Sequence, residues 1–255
     1  MAQTTYKDLL DAGAHFGHLT RKWDPKMAPY IFMEKNGIHI IDLNKTLVSL
    51  DYAATAIRNI AKSGRKIMFV ATKKQAQEIV TTEAERLKMP FVTDRWLGGM
   101  LTNFATVRKS LKKMATIDKM VKENTAYAAL AKREKLMMSR ERAKLDRVLG
   151  GIADLGRLPA ALFIVDVKRE HIAVKEAHKL GIPVFAMCDT NSNPELVQFP
   201  IPANDDASKS IQLIVGVIGK AIEDGLSERK VDKEDAERKE ADEAAIAEKM
   251  AADEE

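Results

Sequence analysis

Apolar residues fall along this 255-residue chain in two distinct rhythms. The first is a set of short unbroken runs: Lys66-Ile67-Met68-Phe69-Val70-Ala71-Thr72, Ala161 to Val167 (ALFIVDV) and Pro183 to Thr190 (PVFAMCDT). Runs of this kind, without polar alternation, predict strands buried on both faces. Ile38 to Leu43 and Phe91 to Asp94 predict two further strands, and Phe199-Pro200-Ile201-Pro202 a short extended segment. Helical patterns lie between them. They cover Thr5 to Gly13, a segment capped by Asn44 and running to about Lys62, and one opened by a Thr72/Gln75 capping box. Others cover 170–180, a start at Asn193-Pro194 and an apolar helix over 207–222. Strands alternating with helices predict an α/β fold, a parallel sheet covered by helices on both faces.

The second rhythm interrupts the first. After the Gly98-Gly99 turn, Phe104, Val107, Leu111, Met114, Ile117 and Val121 recur at helical spacing. Beyond the polar break Lys122-Glu123-Asn124-Thr125, Leu130, Met137, Met138, Leu145 and Val148 give a second, less regular face. Two amphipathic helices joined by a short link predict an antiparallel α-helical hairpin, coiled-coil in character, inserted into the sheet domain. The expected division is therefore a discontinuous α/β domain over 1–103 and 150–225, a hairpin over 104–149, and a tail over 226–255.

Charge sharpens this division. Residues 104–149 hold 13 Lys+Arg against 5 Asp+Glu, a net of +8, whereas the whole chain carries only +4. Residues 223–255 hold 6 Lys+Arg against 14 Asp+Glu, a net of −8, so two opposite segments mask each other. Arg108, Lys109, Lys112 and Lys113 cluster with no carboxylate until Asp118, unlike a face built on Glu/Lys pairs. The hairpin is thus expected to meet a polyanion, and the acidic tail to be a solvated helix or disordered.

A hydrophobic content of 45 % is enough for a packed core. The single cysteine, Cys188, excludes an intramolecular disulfide and fits a reducing compartment. The first residues lack the order of a signal peptide, and no apolar run reaches the roughly 20 residues that span a bilayer. A cytoplasmic protein without membrane contact is expected. A parallel sheet invites a nucleotide-enzyme reading, but no G-x-G-x-x-G, phosphate-loop or G-x-S-x-G motif follows any strand. A nucleotide-binding enzyme on a Rossmann-like sheet remains the alternative, left with scattered His and Asp residues.

Lys73 and Lys74 open a predicted helix, where backbone N–H groups favour anions. With Arg21, Lys22, Lys26, Arg95, Asn103 and the hairpin cations, they form the candidate RNA-contacting set. Such contacts position a protein on RNA without reading sequence. Trp23 and Trp96 are able to stack on bases, but core or turn packing is the expected role of each.

Four long motifs carry a resemblance. They are Leu9-Leu10-Asp11-Ala12-Gly13-Ala14-His15-Phe16-Gly17-His18, Arg95-Trp96-Leu97-Gly98-Gly99-Met100-Leu101-Thr102-Asn103, and Leu158 to Asp166 with His171 to Ala177. Together with Asp189-Thr190-Asn191 and Asn204-Asp205-Asp206, they closely resemble the family of the universal second protein of the small ribosomal subunit, in its bacterial form, over about residues 3–225. The resemblance implies a flavodoxin-like sheet with an inserted hairpin and no enzymatic activity. It also implies binding to small-subunit rRNA between head and body, close to messenger RNA, and docking of the first protein of the subunit. The tail after about 226 lies outside the shared part. Free regulatory RNA binding is a third reading, which co-sedimentation with small subunits would separate.

A metal site is a further candidate, set against the reading of Asp189 and Asp205 as turn and cap residues and of His18 as a packed loop histidine. His15 and His18 flank a turn, Asp189 ends a predicted strand and Asp205-Asp206 precede a helix. Strand-end residues of a parallel sheet gather at its carboxyl edge, and the family's chain order permits the histidine loop to join them. An imidazole with two or three carboxylates suits a structural zinc. His18, Asp189 and Asp205 are the preferred ligands and Asp206 the alternate.

Overall fold

The computed structural model describes residues 4–123, 127 and 130–252, with side chains described as far as 234. Five parallel strands form the central sheet: β4 (Ile67–Val70), β5 (Phe91–Val92), β6 (Ala161–Val165), β7 (Val184–Cys188) and β8 (Phe199–Pro202). Their spatial order is β5-β4-β6-β7-β8, the flavodoxin-like winding in which the order reverses between β4 and β6. Because strand side chains alternate, each run feeds two cores. Ile67, Phe69, Phe163 and Phe185 enter one, Met68, Val70, Leu162, Ile164 and Val184 the other. That is why these strands read as continuous apolar runs.

The first core is covered by α2 (Leu43–Lys62), α3 (Lys74–Arg86) and the start of α7 (Ser208–Ala252). The second is covered by α6 (His171–Lys179) and the base of the hairpin, α4 (Phe104–Glu123) and α5 (Lys132–Leu149). The short link from Glu123 to Lys132 forces α4 and α5 to run antiparallel. Lys113 with Glu141, and Asp118 with Arg142 at 2.9 Å, tie the two helices.

Several expectations need correction. The chain after α1 (Tyr6–Asp11) was not expected to build a second sheet, yet β1 (Phe16–Leu19), β2 (Ile31–Lys35) and β3 (Ile38–Ile41) form a three-stranded antiparallel one, ordered β1-β3-β2. β2 buries only part of Ile31 and exposes Phe32 and Met33 along with Glu34 and Lys35, so its apolar residues do not alternate with polar ones as a half-buried strand's would. Asp42, not Asn44, caps α2, accepting the Asn44 N–H at 3.0 Å. No Thr72/Gln75 box forms, because the Thr72 hydroxyl is engaged by Glu170, and α3 starts at Lys74. Asn193-Pro194 opens one 3₁₀ turn, Pro194–Leu196, before Val197 returns to extended backbone. On α5, Met137 points outward with 61 % of its surface exposed, while Arg142 takes an inward place. The interhelical break at 122–125 falls partly outside the described residues.

The final helix does not stop at 222. Ile211, Ile214, Val215, Ile218 and Ile222 form its buried stripe, and α7 then runs without interruption to Ala252. Beyond the stripe, Glu228 pairs with Arg58 and Lys62, and Asp232 with Lys62 at 3.0 Å.

Candidate nucleic-acid interface and acidic centre

The carboxyl ends of the central strands release a group of charged side chains at one edge of the sheet. Lys73 follows β4, Asp166 follows β6, Asp189 follows β7, and Asp205 and Asp206 follow β8. The small sheet adds His18 from β1. Its backbone N–H donates to Thr190 Oγ1 at 2.8 Å. Gly17 makes this approach possible, since a Cβ there would lie 2.6 Å from the Thr190 side chain. Loop 20–30 is tied to the same place by the Asp24 N–H, donating to the Thr190 carbonyl at 2.8 Å.

His18 lies with Nδ1 3.0 Å from Asp189 Oδ2 and Nε2 3.5 Å from Asp206 Oδ2. Ligand atoms of His18, Asp189, Asp205 and Asp206 all fall within 4.8 Å of one another, so the four residues expected together are together. His15 is not part of the group. The hydrogen bond to Asp189 raises the His18 imidazole above its ordinary pKa, against the effect of burial. Burial, with Asp189 and Asp166 nearby, pushes Asp205 up to about 7 despite its ion pair with Lys73. Asp205 Oδ2 is buried without a hydrogen-bond partner among the described residues. An orphaned carboxylate oxygen beside an imidazole and two further carboxylates is a donor set whose chemistry fits zinc.

Lys73 departs from its expected role. It is buried, with Nζ 2.6 Å from Asp205 Oδ1, 2.6 Å from Asp206 Oδ1 and 3.6 Å from Asp166 Oδ2. Three carboxylates hold it away from any phosphate outside the protein, which corrects its place among the RNA contacts. Lys74, one residue on, is exposed.

The other basic candidates lie at the surface. Arg21 and Lys22 occupy a 3₁₀ turn over Thr20–Lys22, and Lys26 pairs with Glu195 at 2.9 Å. Arg95 lines a cleft of about 390 Å³ with Thr72, Asp94, Trp96, Arg169 and Glu170. Asn103 precedes α4 and accepts from the Thr106 hydroxyl at 2.9 Å. Arg108, Lys109 and Lys112 are exposed and make no ion pair among the described residues, whereas Lys113 is engaged by Glu141. Trp96 is buried as expected, its Nε1–H donating to Glu176 at 3.1 Å; Trp23 keeps 39 % of its surface exposed.

Two residues were missed from the sequence. Arg169 donates to Thr72 Oγ1 at 2.9 Å on the rim of the cleft. Glu176, buried on α6, receives Trp96 Nε1–H and Gly99 N–H on one oxygen, and Leu101 N–H, Thr102 N–H and the Thr102 hydroxyl on the other, at 2.7–3.1 Å. Gly99 meets it with φ +86, a conformation a side chain would strain. This carboxylate fixes the turn from which the hairpin departs. A charged residue among Ala173, Val174 and Ala177, all buried, was the available signal.

These features define a flavodoxin-like α/β protein that carries a basic helical pair on its second face. The model of the family described as ribosomal protein S2 matches residues 9–225, and the chain belongs to that family. It is a structural protein of the ribosome and not an enzyme, which removes the nucleotide-enzyme alternative. It is 70 % identical over 239 residues to the small ribosomal subunit protein uS2 of Cytophaga hutchinsonii, covering 94 % of each chain. With the uS2 proteins of Parabacteroides distasonis and Bacteroides thetaiotaomicron it shares 60 % identity over 237 residues, covering 93 % of this chain and 85 % of theirs.

Proposed function

We propose that the protein is a component of the small ribosomal subunit that binds rRNA between head and body and supports translation there. In this reading the sheet domain is a rigid mount and the hairpin, 104–149, a separate arm. Arg21, Lys22, Lys74, Arg95, Asn103, Arg108, Lys109 and Lys112 meet phosphates, whereas Lys26 and Lys113 are taken by Glu195 and Glu141, and release of condensed counterions supplies much of the affinity. Neighbouring small-subunit proteins, including the first, dock on the mount close to messenger RNA. The observation that carries the RNA reading is the exposed row Arg108, Lys109 and Lys112, off the apolar stripe and without carboxylate partners among the described residues. Replacing the three with Glu leaves the isolated protein folded, lowers its incorporation into small subunits in competition with wild type, and reduces the salt slope of RNA binding by about 1 per lost contact. Equal incorporation of a folded variant would show the row to be a solubility surface.

A second reading, carried by the orphaned Asp205 oxygen, is a structural zinc held by His18, Asp189 and Asp205, with Asp206 as alternate. The ion would pin β1 and the loop after it to the carboxyl edge of the sheet. Elemental analysis of tag-free protein tests it: near one equivalent of zinc supports the site. Less than about one-tenth of an equivalent, unchanged in His18→Ala, removes it.

A further inference from the structure

We propose that Trp23 is a stacking platform for an unpaired RNA base, backed by His39 and flanked by Arg21 and Lys22; the proposal rests on the RNA-binding reading above and deepens it. Trp23 leaves 39 % of its surface exposed, yet its loop is firmly anchored. Asp24 N–H is bonded to the Thr190 carbonyl at 2.8 Å, Asp24 Oδ1 accepts the Lys26 N–H at 2.9 Å, and Met27 is fully buried in the second core. The backbone thus presents the ring without using the ring's own burial to hold it.

The His39 ring lies against Trp23, centroids 5.1 Å apart at 45°. His39 is 9 % exposed, and neither ring nitrogen has a hydrogen-bond partner among the described residues. An imidazole kept there with both polar atoms unmatched contributes its ring as an edge-tilted support for an indole that is itself part exposed. Arg21 and Lys22 are exposed and make no ion pair among the described residues, while Lys26 beyond the ring is neutralised by Glu195. An aromatic face beside free cations is the arrangement that takes single-stranded RNA, the base stacking while its phosphates are neutralised. Stacking tolerates every base, so no sequence preference is expected.

The test compares two probes at low salt: a mixed-sequence single-stranded RNA decamer and an abasic ribose-phosphate chain of equal length. RNA should quench part of the tryptophan emission of the full-length protein. The Trp23→Phe variant should lose that quenching while binding nearly as well, because the remaining Trp96 is buried. Trp23→Ala should weaken RNA binding about tenfold and leave the abasic chain unaffected. Urea midpoints of both variants control for folding, and Trp23→Phe keeps the comparison valid if Trp23→Ala is destabilised. Unchanged RNA affinity in Trp23→Ala, or equal losses for both probes, would overturn the platform. If the Glu variants of Arg108, Lys109 and Lys112 still lose affinity in that case, the RNA reading stands without it. No binding of either probe by wild type would defeat both.

Discussion

Glu176→Gln is a nearly isosteric change whose cost follows from the hydrogen-bond geometry. One carboxylate oxygen accepts from Trp96 and Gly99, the other from Leu101 and twice from Thr102. A glutamine has one oxygen and one NH₂ group, so either orientation opposes donors to donors. The better orientation keeps the oxygen toward Leu101 and Thr102 and strands the Trp96 and Gly99 groups. Each unsatisfied buried donor costs about 1–3 kcal/mol. Gly99 is only half-buried, so water relieves part of its share. The expected loss is about 2–4 kcal/mol, a large fraction of a typical folding stability of about 5–15 kcal/mol. Urea unfolding followed by near-ultraviolet circular dichroism measures it, and hydrogen exchange at 99–103 locates it. A loss below about 0.5 kcal/mol, with unchanged exchange in that turn, would refute the clamp.

The same carboxylate predicts a pH dependence. Burial alone would raise its pKa, but the N–H donors of Thr102, Leu101, Trp96 and Gly99 outweigh it and hold the group below its ordinary 4.5. A depressed acid contributes stability above the unfolded value and loses it as pH falls through the folded one. The gap between wild type and Glu176→Gln should therefore be constant from pH 7 to about 5 and narrow below about 4.5; a gap unaffected by acid would contradict the assignment. Truncation after Leu226 removes the pairs of Glu228 and Asp232 with Arg58 and Lys62, which are partly exposed. It should cost less than about 1 kcal/mol and leave ribosome association intact, as sedimentation would show; marked dissociation would mean that the tail docks on a partner.

How far the fold was legible depended on burial. β4, β6 and β7 announce themselves because both faces are covered, so every position in Met68-Phe69-Val70 or Phe163-Ile164-Val165 must be apolar. β8 is weaker, since Pro200 and Pro202 deny two ladder donors, which only an edge strand tolerates; its place at the end of the sheet agrees. β1 and β2 were invisible because they expose most of their length, Phe32 as much as 69 % of its surface. In the hairpin, α4 keeps Leu111, Met114 and Ile117 inward and was read easily, whereas α5 places Arg142 among its inward positions and blurs the pattern.

The acidic centre was legible for a different reason. Strand ends converge by topology, so Asp189 and Asp205 were bound to meet once a parallel sheet was inferred. The same rule applied to β4 should have assigned Lys73. It leaves its strand at the same edge where Asp166, Asp189, Asp205 and Asp206 leave theirs, and several carboxylates cannot share a partly buried pocket without a counter-charge. Local position at the start of a helix suggested phosphate instead, and that cue was weaker than the charge balance of the assembled edge. The consequence reaches the RNA surface. With Lys73 taken by the carboxylates, the RNA-binding reading proposed above rests at this turn on the exposed Lys74, one residue further along α3.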